Sequence, residues 1–346
     1  MSQSNAAAQL DIPSVQSYLE ANLPGFKGPM TAEKFSTGQS NPTFLLKASS
    51  GNYVLRRKPP GALLKSAHAV DREFKVQSAL AGSDVPVSKM YLLCEDDSVT
   101  GSMFYVMDYI PGRNFVDPRL KDLSNEERSG IFDEMNRVIA ALHQVDPEAV
   151  GLGEFGPPGN YFERQIGRWS KQYRASETET IEPMDNLIQE LTTREAFDDG
   201  QRTLVHGDYR IDNMMFDREG TQCRAVLDWE LSTLGHPYAD LASILMQWHM
   251  PPGEEGRGLA GVDRKALGIP TDEEFVAAYC KRRGIVLIDA LGYCLAFCFF
   301  RMAAVIQGVK KRALDGNASN PERAMKMGEF VKAFAHQGLK ALNHKG

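Results

Sequence analysis

The stretch Leu204-Val205-His206-Gly207-Asp208-Tyr209-Arg210-Ile211-Asp212-Asn213-Met214-Met215-Phe216 constrains this chain more than any other. An apolar run delivers His206-Gly207-Asp208 into a short polar loop. Asn213 comes five residues after Asp208, just before a second apolar run, and fifteen residues further Val226-Leu227-Asp228-Trp229-Glu230 ends a third run on another aspartate. A chance His-x-Asp in a turn would explain one dipeptide but not this combination. Carboxylate, amide and second carboxylate at strand ends suit phosphoryl transfer. That chemistry needs a carboxylate beside the attacking hydroxyl and a few oxygen ligands for Mg²⁺ on nucleotide phosphates. Asn213 and Asp228 supply such ligands, and Asp208 is left to act as base.

The rest of the chain divides around this stretch. Leu10, Val15, Tyr18, Leu19 and Leu23 have the spacing of a short amphipathic helix. From Thr31 to Tyr109 the pattern is strand-like, with a hairpin expected at Ala48-Ser49-Ser50-Gly51-Asn52, a helix over Ser66 to Leu80, and strands at Met90 to Cys94 and Met103 to Ile110. Pro111-Gly112 then punctuates the chain. Helical patterns follow at Ser124 to Val145 (with Ser124 and Glu127 as a capping box), Tyr161 to Arg174, Asp185 to Arg194, Asp272 to Arg283, Ala290 to Val309 and Glu322 to Leu342. Short strands are expected at Thr203 to Val205, Asn213 to Phe216 and Arg224 to Leu227, and a surface loop at Pro251 to Gly268.

The Asp208-to-Asn213 spacing resembles the catalytic loop of protein kinases. The His-Gly-Asp form with Asp-Trp-Glu downstream is more similar to the aminoglycoside phosphotransferase and choline kinase superfamily. The resemblance runs from about residue 30 to residue 340 and implies an α+β, protein-kinase-like two-lobed fold. Its parts would be an N-terminal helical extension (1–29), a small antiparallel β N-lobe (30–110) and a larger, mainly helical C-lobe (111–346) hinged near Asp108 to Gly112. It also implies ATP as co-substrate, Mg²⁺, and a set of site residues. Gly38 and Ser40 would lie in the phosphate-covering turn, which carries one glycine where kinases carry three. Arg56, in Tyr53-Val54-Leu55-Arg56, stands where the third strand usually ends in lysine, with Glu73 as its helical partner. Met107 would border the adenine, and the backbone of Asp108, Tyr109 and Ile110 would meet its edge. Arg210 stands where protein kinases carry a lysine that contacts the transferring phosphate. Asp240 is expected to brace the catalytic loop, and His206 to orient it. Arg164, Arg168 and Lys171 are candidates to meet an anionic acceptor, or form a solvated basic helix face.

Leu55-Arg56-Arg57-Lys58-Pro59-Pro60-Gly61, Ser66-Ala67-His68-Ala69-Val70-Asp71-Arg72-Glu73 and Leu227-Asp228-Trp229-Glu230-Leu231-Ser232-Thr233-Leu234-Gly235-His236-Pro237 are similar to one subfamily. In its animal members the kinase-like domain is fused to an acyl-CoA dehydrogenase, and the fused proteins phosphorylate hydroxyacyl-CoA intermediates. Bacterial relatives stand alone. The expected reaction is therefore transfer of the ATP γ-phosphate, in a cleft between the lobes, to the hydroxyl of a small molecule such as a hydroxyacyl-CoA. Dehydrogenase activity is not expected, because the kinase-like lobes consume the chain's length. An aminoglycoside kinase, a choline-type kinase and a regulatory pseudokinase remain alternatives. The acidic run Glu177-Thr178-Glu179-Thr180-Ile181-Glu182 bears on the first, and aromatic pocket walls would bear on the second.

Composition excludes other classes. The net charge of −6 over 346 residues lacks the broad basic surface that nucleic acid requires. Five cysteines, an odd number in a long chain, do not make a disulfide scaffold; Cys294 and Cys298 share one helix face and read as core. The apolar stretch Ala290 to Phe300, bounded by Asp289 and Arg301, falls short of a membrane span, and Met1 to Leu10 shows no leader. A cytoplasmic protein is expected, with no membrane or nucleic-acid partner. Its state, monomer or homodimer, is open from sequence.

Overall fold

The computed structural model describes residues 10–35, 41–59, 69–253, 256–318 and 320–343. The chain forms two compact units. One comprises Met1–Phe115, Val150–Leu152 and Ile211–Ser232; the other comprises Val116–Ala149, Gly153–Arg210 and Thr233–Gly346. These limits differ from the expected break at residue 110. The boundary at Arg210/Ile211 runs through the Asp208-to-Asn213 loop, and the hairpin that follows belongs to the unit of the N-terminal sheet.

The first unit opens with α1 (Ile12–Asn22), capped by the Asp11 carboxylate, which accepts the Ser14 N–H at 3.2 Å. Then come β1 (Met30–Lys34), β2 (Thr43–Ala48), β3 (Gly51–Arg57), α2 (Val70–Ala79), β4 (Met90–Cys94), the single turn α3 (Asp97–Thr100) and β5 (Phe104–Asp108). The strands form one antiparallel sheet in the order β1-β2-β3-β5-β4. The expected hairpin is present, with Thr43 opposite Arg56 and Ala48 opposite Gly51. Alternation sends Phe44 and Leu46 of β2 to the same face as Tyr53 and Leu55 of β3. There they pack with Phe104 and Val106 and with Val15, Leu19, Leu23 and Phe26. The first 29 residues are thus no separate extension over their described part, because α1 supplies part of the sheet's core. The unit is completed by β7 (Met214–Phe216) and β8 (Cys223–Val226), an antiparallel hairpin. It is tied to the unit by reciprocal Arg113–Phe216 backbone bonds of 2.9 Å and by the Val226 N–H on the Pro86 carbonyl at 2.8 Å.

The second unit is mainly helical: α4 (Asn125–Leu142), α5 (Tyr161–Ser176), α6 (Glu182–Thr193), α7 (Pro237–Trp248), α8 (Asp272–Arg283), α9 (Leu291–Leu314), α10 (Pro321–Gly328) and α11 (Val331–Asn343). Its two short strands, β6 (Thr203–Val205) and β9 (Thr233–Gly235), pair antiparallel. The capping box at Ser124 and Glu127 forms as the sequence predicts. Two expectations need correction. The single helix over Glu322 to Leu342 is two helices that break at residues 329–330. And the apolar stretch expected to fall short of a membrane span lies within α9, which runs 24 residues, a few beyond the expected Val309, and is by length and composition alone long and apolar enough to cross a membrane. In this fold it is the central helix of its unit, packed against α5, α7, α10 and α11. Cys294 and Cys298 are buried in it, and burial pushes both thiols up. Among the described residues no cluster of three His, Cys, Asp or Glu side chains could form an all-protein metal cage.

Candidate active site

In the first unit the site is built around Arg56. Strand β3 carries Arg56 inward, and α2 presents Glu73, 1% exposed. The Arg56 Nε lies 3.1 Å from Glu73 Oε2, and its Nη2 lies 2.6 Å from Asp228 Oδ1. Glu230 Oε2 stands 3.9 Å from the same Nη2. Burial works against the guanidinium, but Glu73, Asp228 and Glu230 hold it firmly protonated. Three predicted residues, Arg56, Glu73 and Asp228, are thus brought into one network. Arginine can bridge both acids because its planar fork carries donors at both ends, where lysine has one nitrogen.

Glu73 receives two further donors, Asn41 Nδ2 at 3.0 Å and the Tyr105 hydroxyl at 3.1 Å. Asn41, itself buried, was not among the expected site residues. It follows Gly38 and Ser40, both of which lie outside the described residues. Burial pushes the Glu73 carboxyl up to about 7, against the pull of Arg56. A raised native value means that its stabilising contribution is present at low pH and lost as pH climbs from the ordinary carboxylate range through about 7. We therefore expect the wild type to lose ground to Glu73→Gln in denaturant-unfolding free energy between about pH 5 and pH 8. A pH-independent difference would show that the carboxyl does not titrate there.

Asp228 follows β8 and adopts a left-handed backbone, φ 63° and ψ 60°. For a non-glycine residue this conformation is rare, and aspartate is among the few that tolerate it. The backbone is held by its neighbours. Trp229 is fully buried with its Nε1 on the Val226 carbonyl at 2.9 Å, and the Leu227 N–H meets the Asn213 carbonyl at 2.7 Å. That bond extends the β7–β8 ladder by one rung. It sets the Asn213 residue beside Asp228. Oδ1 of Asp228 is on Arg56, while Oδ2 has no partner among the described residues. One carboxylate oxygen, the neighbouring asparagine and the nearby Glu230 fit Mg²⁺, which takes one or two carboxylates and fills the rest of its octahedron with other oxygens, water and phosphate. Glu230 could have been suspected from its place two residues after Asp228.

At the end of β5, Met107 pairs across the sheet with Val54 and Met90. The Asp108 N–H is spent on the Lys89 carbonyl at 2.8 Å, and its carboxylate takes the Tyr91 hydroxyl at 3.3 Å. The backbone of Tyr109 and Ile110 makes no hydrogen bond among the described residues.

In the second unit β6 delivers the loop that holds Asp208. Gly207 takes φ +85°, a conformation that requires glycine there. The loop backbone is clamped by Asp240 from the first turn of α7. The Asp240 carboxylate accepts the His206 N–H at 2.5 Å and the Gly207 N–H at 2.9 Å. Burial opposes this carboxylate, but His143, His206 and the Gly207 amide hold it below the usual range. His206 Nδ1 accepts the Asp208 N–H at 3.3 Å, and the Tyr209 hydroxyl is anchored on the Met135 carbonyl at 2.9 Å. Both expected braces therefore act on this loop.

Two residues here escaped the sequence reading. Arg301 of α9 puts Nη2 3.4 Å from the Gly207 carbonyl and 3.2 Å from the Ser243 hydroxyl, and it feels the charge of Asp208. Its signal was a lone arginine inside an apolar helix. Gln247 of α7, with its amide oxygen turned inward, takes Arg210 Nη1 and Nε at 3.2 Å each. No pattern in the sequence links it to Arg210.

The phosphotransferase enzyme family matches residues 31–284. Mouse acyl-CoA dehydrogenase family member 10 is 45% identical over 309 residues, 89% of this chain and 29% of that protein. Mouse acyl-CoA dehydrogenase family member 11 is 40% identical over 341 residues, 96% of this chain and 43% of that protein. The chain thus spans less than half the length of these relatives. Among solved structures, a Ralstonia eutropha JMP134 protein assigned provisionally as an aminoglycoside phosphotransferase is 46% identical, covers 96% of this chain and 98% of its own, and superposes with a TM-score of 0.88. Aminoglycoside phosphotransferase APH(4)-Ia, in a ternary complex with ADP and hygromycin B, shares the fold at 15% identity and a TM-score of 0.61, over 96% of this chain and 99% of its own.

Proposed function

Because the chain belongs to the phosphotransferase enzyme family, we propose that it moves the γ-phosphate of ATP to the hydroxyl of a hydroxyacyl thioester. Kinase activity on a small-molecule hydroxyl follows from the family. The acceptor rests on the similarity, over 89% and 96% of the chain, to parts of two acyl-CoA dehydrogenase family members. A phosphotransferase segment in one polypeptide with an acyl-CoA enzyme is best understood if both handle the same substrate class.

The observation that carries the catalytic reading is the Arg56–Glu73 pair with Asp228 held against it in a left-handed backbone. Arg56 keeps Nε on Glu73, and its Nη2 is the arm that passes from Asp228 to a nucleotide phosphate. Asp228, Asn213 and Glu230 would hold Mg²⁺, which when bound neutralises charge on the phosphate oxygens. Met107 and the backbone of Asp108, Tyr109 and Ile110 would seat the adenine. Asp208 orients the acceptor hydroxyl and takes its proton as the phosphoryl group leaves ATP, and Arg210 meets the transferring phosphate. The protein contributes positioning and charge, not covalent chemistry.

The test is incubation with Mg-ATP and a panel of hydroxyacyl-CoAs, aminoglycosides and choline, followed by phosphorus NMR. ADP with a phosphorylated hydroxyacyl-CoA is expected. Turnover of an aminoglycoside or choline alone would replace the acceptor. Absence of calorimetrically detectable Mg-nucleotide binding would leave a partner-regulating protein and sink the catalytic reading.

A further inference from the structure

The second unit contains a cavity of about 140 Å³ that none of the residues discussed above as reacting groups enters. It lies where the N-terminus of α5 meets the start of β6 and the end of β9. Its chemical lining is Arg164, Arg202, Asp198, Tyr161, Phe197 and His236. β6 separates it from Asp208, since Arg202 precedes the strand and His206 follows it.

The two arginines are unusual in their partners. Arg164 Nη1 donates to the carbonyls of Pro158 (2.7 Å) and Gly159, and Arg202 Nη1 and Nη2 donate to those of Gly153 (3.2 Å) and Gly156 (3.0 Å). Neither has a carboxylate within ion-pair distance among the described residues. Nε and Nη2 of Arg164 and Nε of Arg202 have no acceptor there. The backbone bonds fix both guanidiniums and the 153–159 loop, so their placement is settled before any ligand arrives. The opposite wall is equally built. Asn160 Nδ2 holds the Ala196 and Phe197 carbonyls at 3.3 and 3.1 Å, and the buried His236 is bonded to Asp199 at 2.9 Å. Burial lowers His236 despite Asp199, which keeps the ring a weak source of charge. Asp198 is the one carboxylate that lines the cavity, so the formal lining charge is two cations against one anion.

We infer that this cavity binds an oxyanion, a phosphate or phosphomonoester group, through Arg164 and Arg202. A guanidinium with its fork fixed and no carboxylate partner is an arrangement made for such a group, and the cavity is large enough to admit a tetrahedral anion. The inference does not depend on phosphoryl transfer: the cavity sits at the far end of β6 from Asp208 and uses none of the nucleotide residues.

The test is titration calorimetry of the full chain at constant ionic strength, with inorganic phosphate and, separately, glycerol 3-phosphate. One saturable site is expected for at least one of them. Saturation by inorganic phosphate assigns a free anion, and saturation by the ester alone assigns a phosphate carried on a larger ligand. Arg202→Gln should weaken binding about tenfold or more, a loss of about 1.4 kcal/mol. Asp198→Asn, at an exposed position that does not threaten folding, should tighten it. Arg56→Met should leave it unchanged. Loss of binding in Arg56→Met would place the anion in the nucleotide site and overturn the inference. So would an unaltered affinity in both Arg202→Gln and Asp198→Asn, or no saturable binding of either probe.

Discussion

Replacing Asp208 by asparagine is expected to lower kcat by roughly 10²- to 10⁴-fold, the range that a positioned general base supplies, with KM for ATP little changed. The reason lies in how the loop is held. Gly207 is clamped on both sides, by Asp240 on its N–H and by Arg301 on its carbonyl, and His206 caps the Asp208 N–H. None of these bonds uses the Asp208 side chain, so the loop should keep its shape when the carboxylate becomes an amide. The thermal midpoint should fall only by what Arg301 loses with the Asp208 charge. A loss confined to KM would instead mark Asp208 as a binding group, and unchanged turnover of every accepted substrate would remove it from the reaction.

Asp228→Asn should do as much damage by a different route. Mg²⁺-dependent nucleotide binding should fall, and kcat should drop by roughly 10²-fold or more, because several kcal/mol of charge neutralisation at the phosphates are lost with the carboxylate. Stability separates this from misfolding. Asparagine accepts the left-handed backbone at Asp228 about as readily as aspartate does, so Asp228→Asn should unfold near the wild type. Asp228→Ala should cost about 1–2 kcal/mol, because alanine resists that conformation. Equal instability of both variants would show that the Arg56 ion pair, not the backbone, governs the fold at this point. Nucleotide binding that persists without Mg²⁺ dependence in Asp228→Asn would move the metal elsewhere.

Much of the site was legible in the sequence because its signals are local. Strand ends carry their residues to fixed places, so spacing alone could single out Asp208, Asn213 and Asp228 as candidates, and it found the Ser124–Glu127 capping box and the β2–β3 hairpin. The elements that were misjudged depended on packing. The apolar stretch before Arg301 looked too short to span a membrane, yet it lies in a 24-residue helix in which Arg301 is met by the Gly207 carbonyl and the Ser243 hydroxyl. α1 looked like an appendage because its apolar face says nothing about which surface will cover it; the sheet does.

The sequence by itself therefore determined the chemical inventory and its order along the chain: a carboxylate, an amide and a second carboxylate at strand ends, a strand cation and a helical acid. Only the tertiary structure decided which of them meet. It bound Arg56 to both Glu73 and Asp228, divided the catalytic stretch between two compact units at Arg210/Ile211, and supplied Asn41, Gln247 and Arg301 from distant positions. The physical reason is that backbone periodicity is a property of neighbours in sequence. A buried charge instead finds its partners wherever packing brings a donor or acceptor within about 3 Å, and that distance is not written in any local pattern.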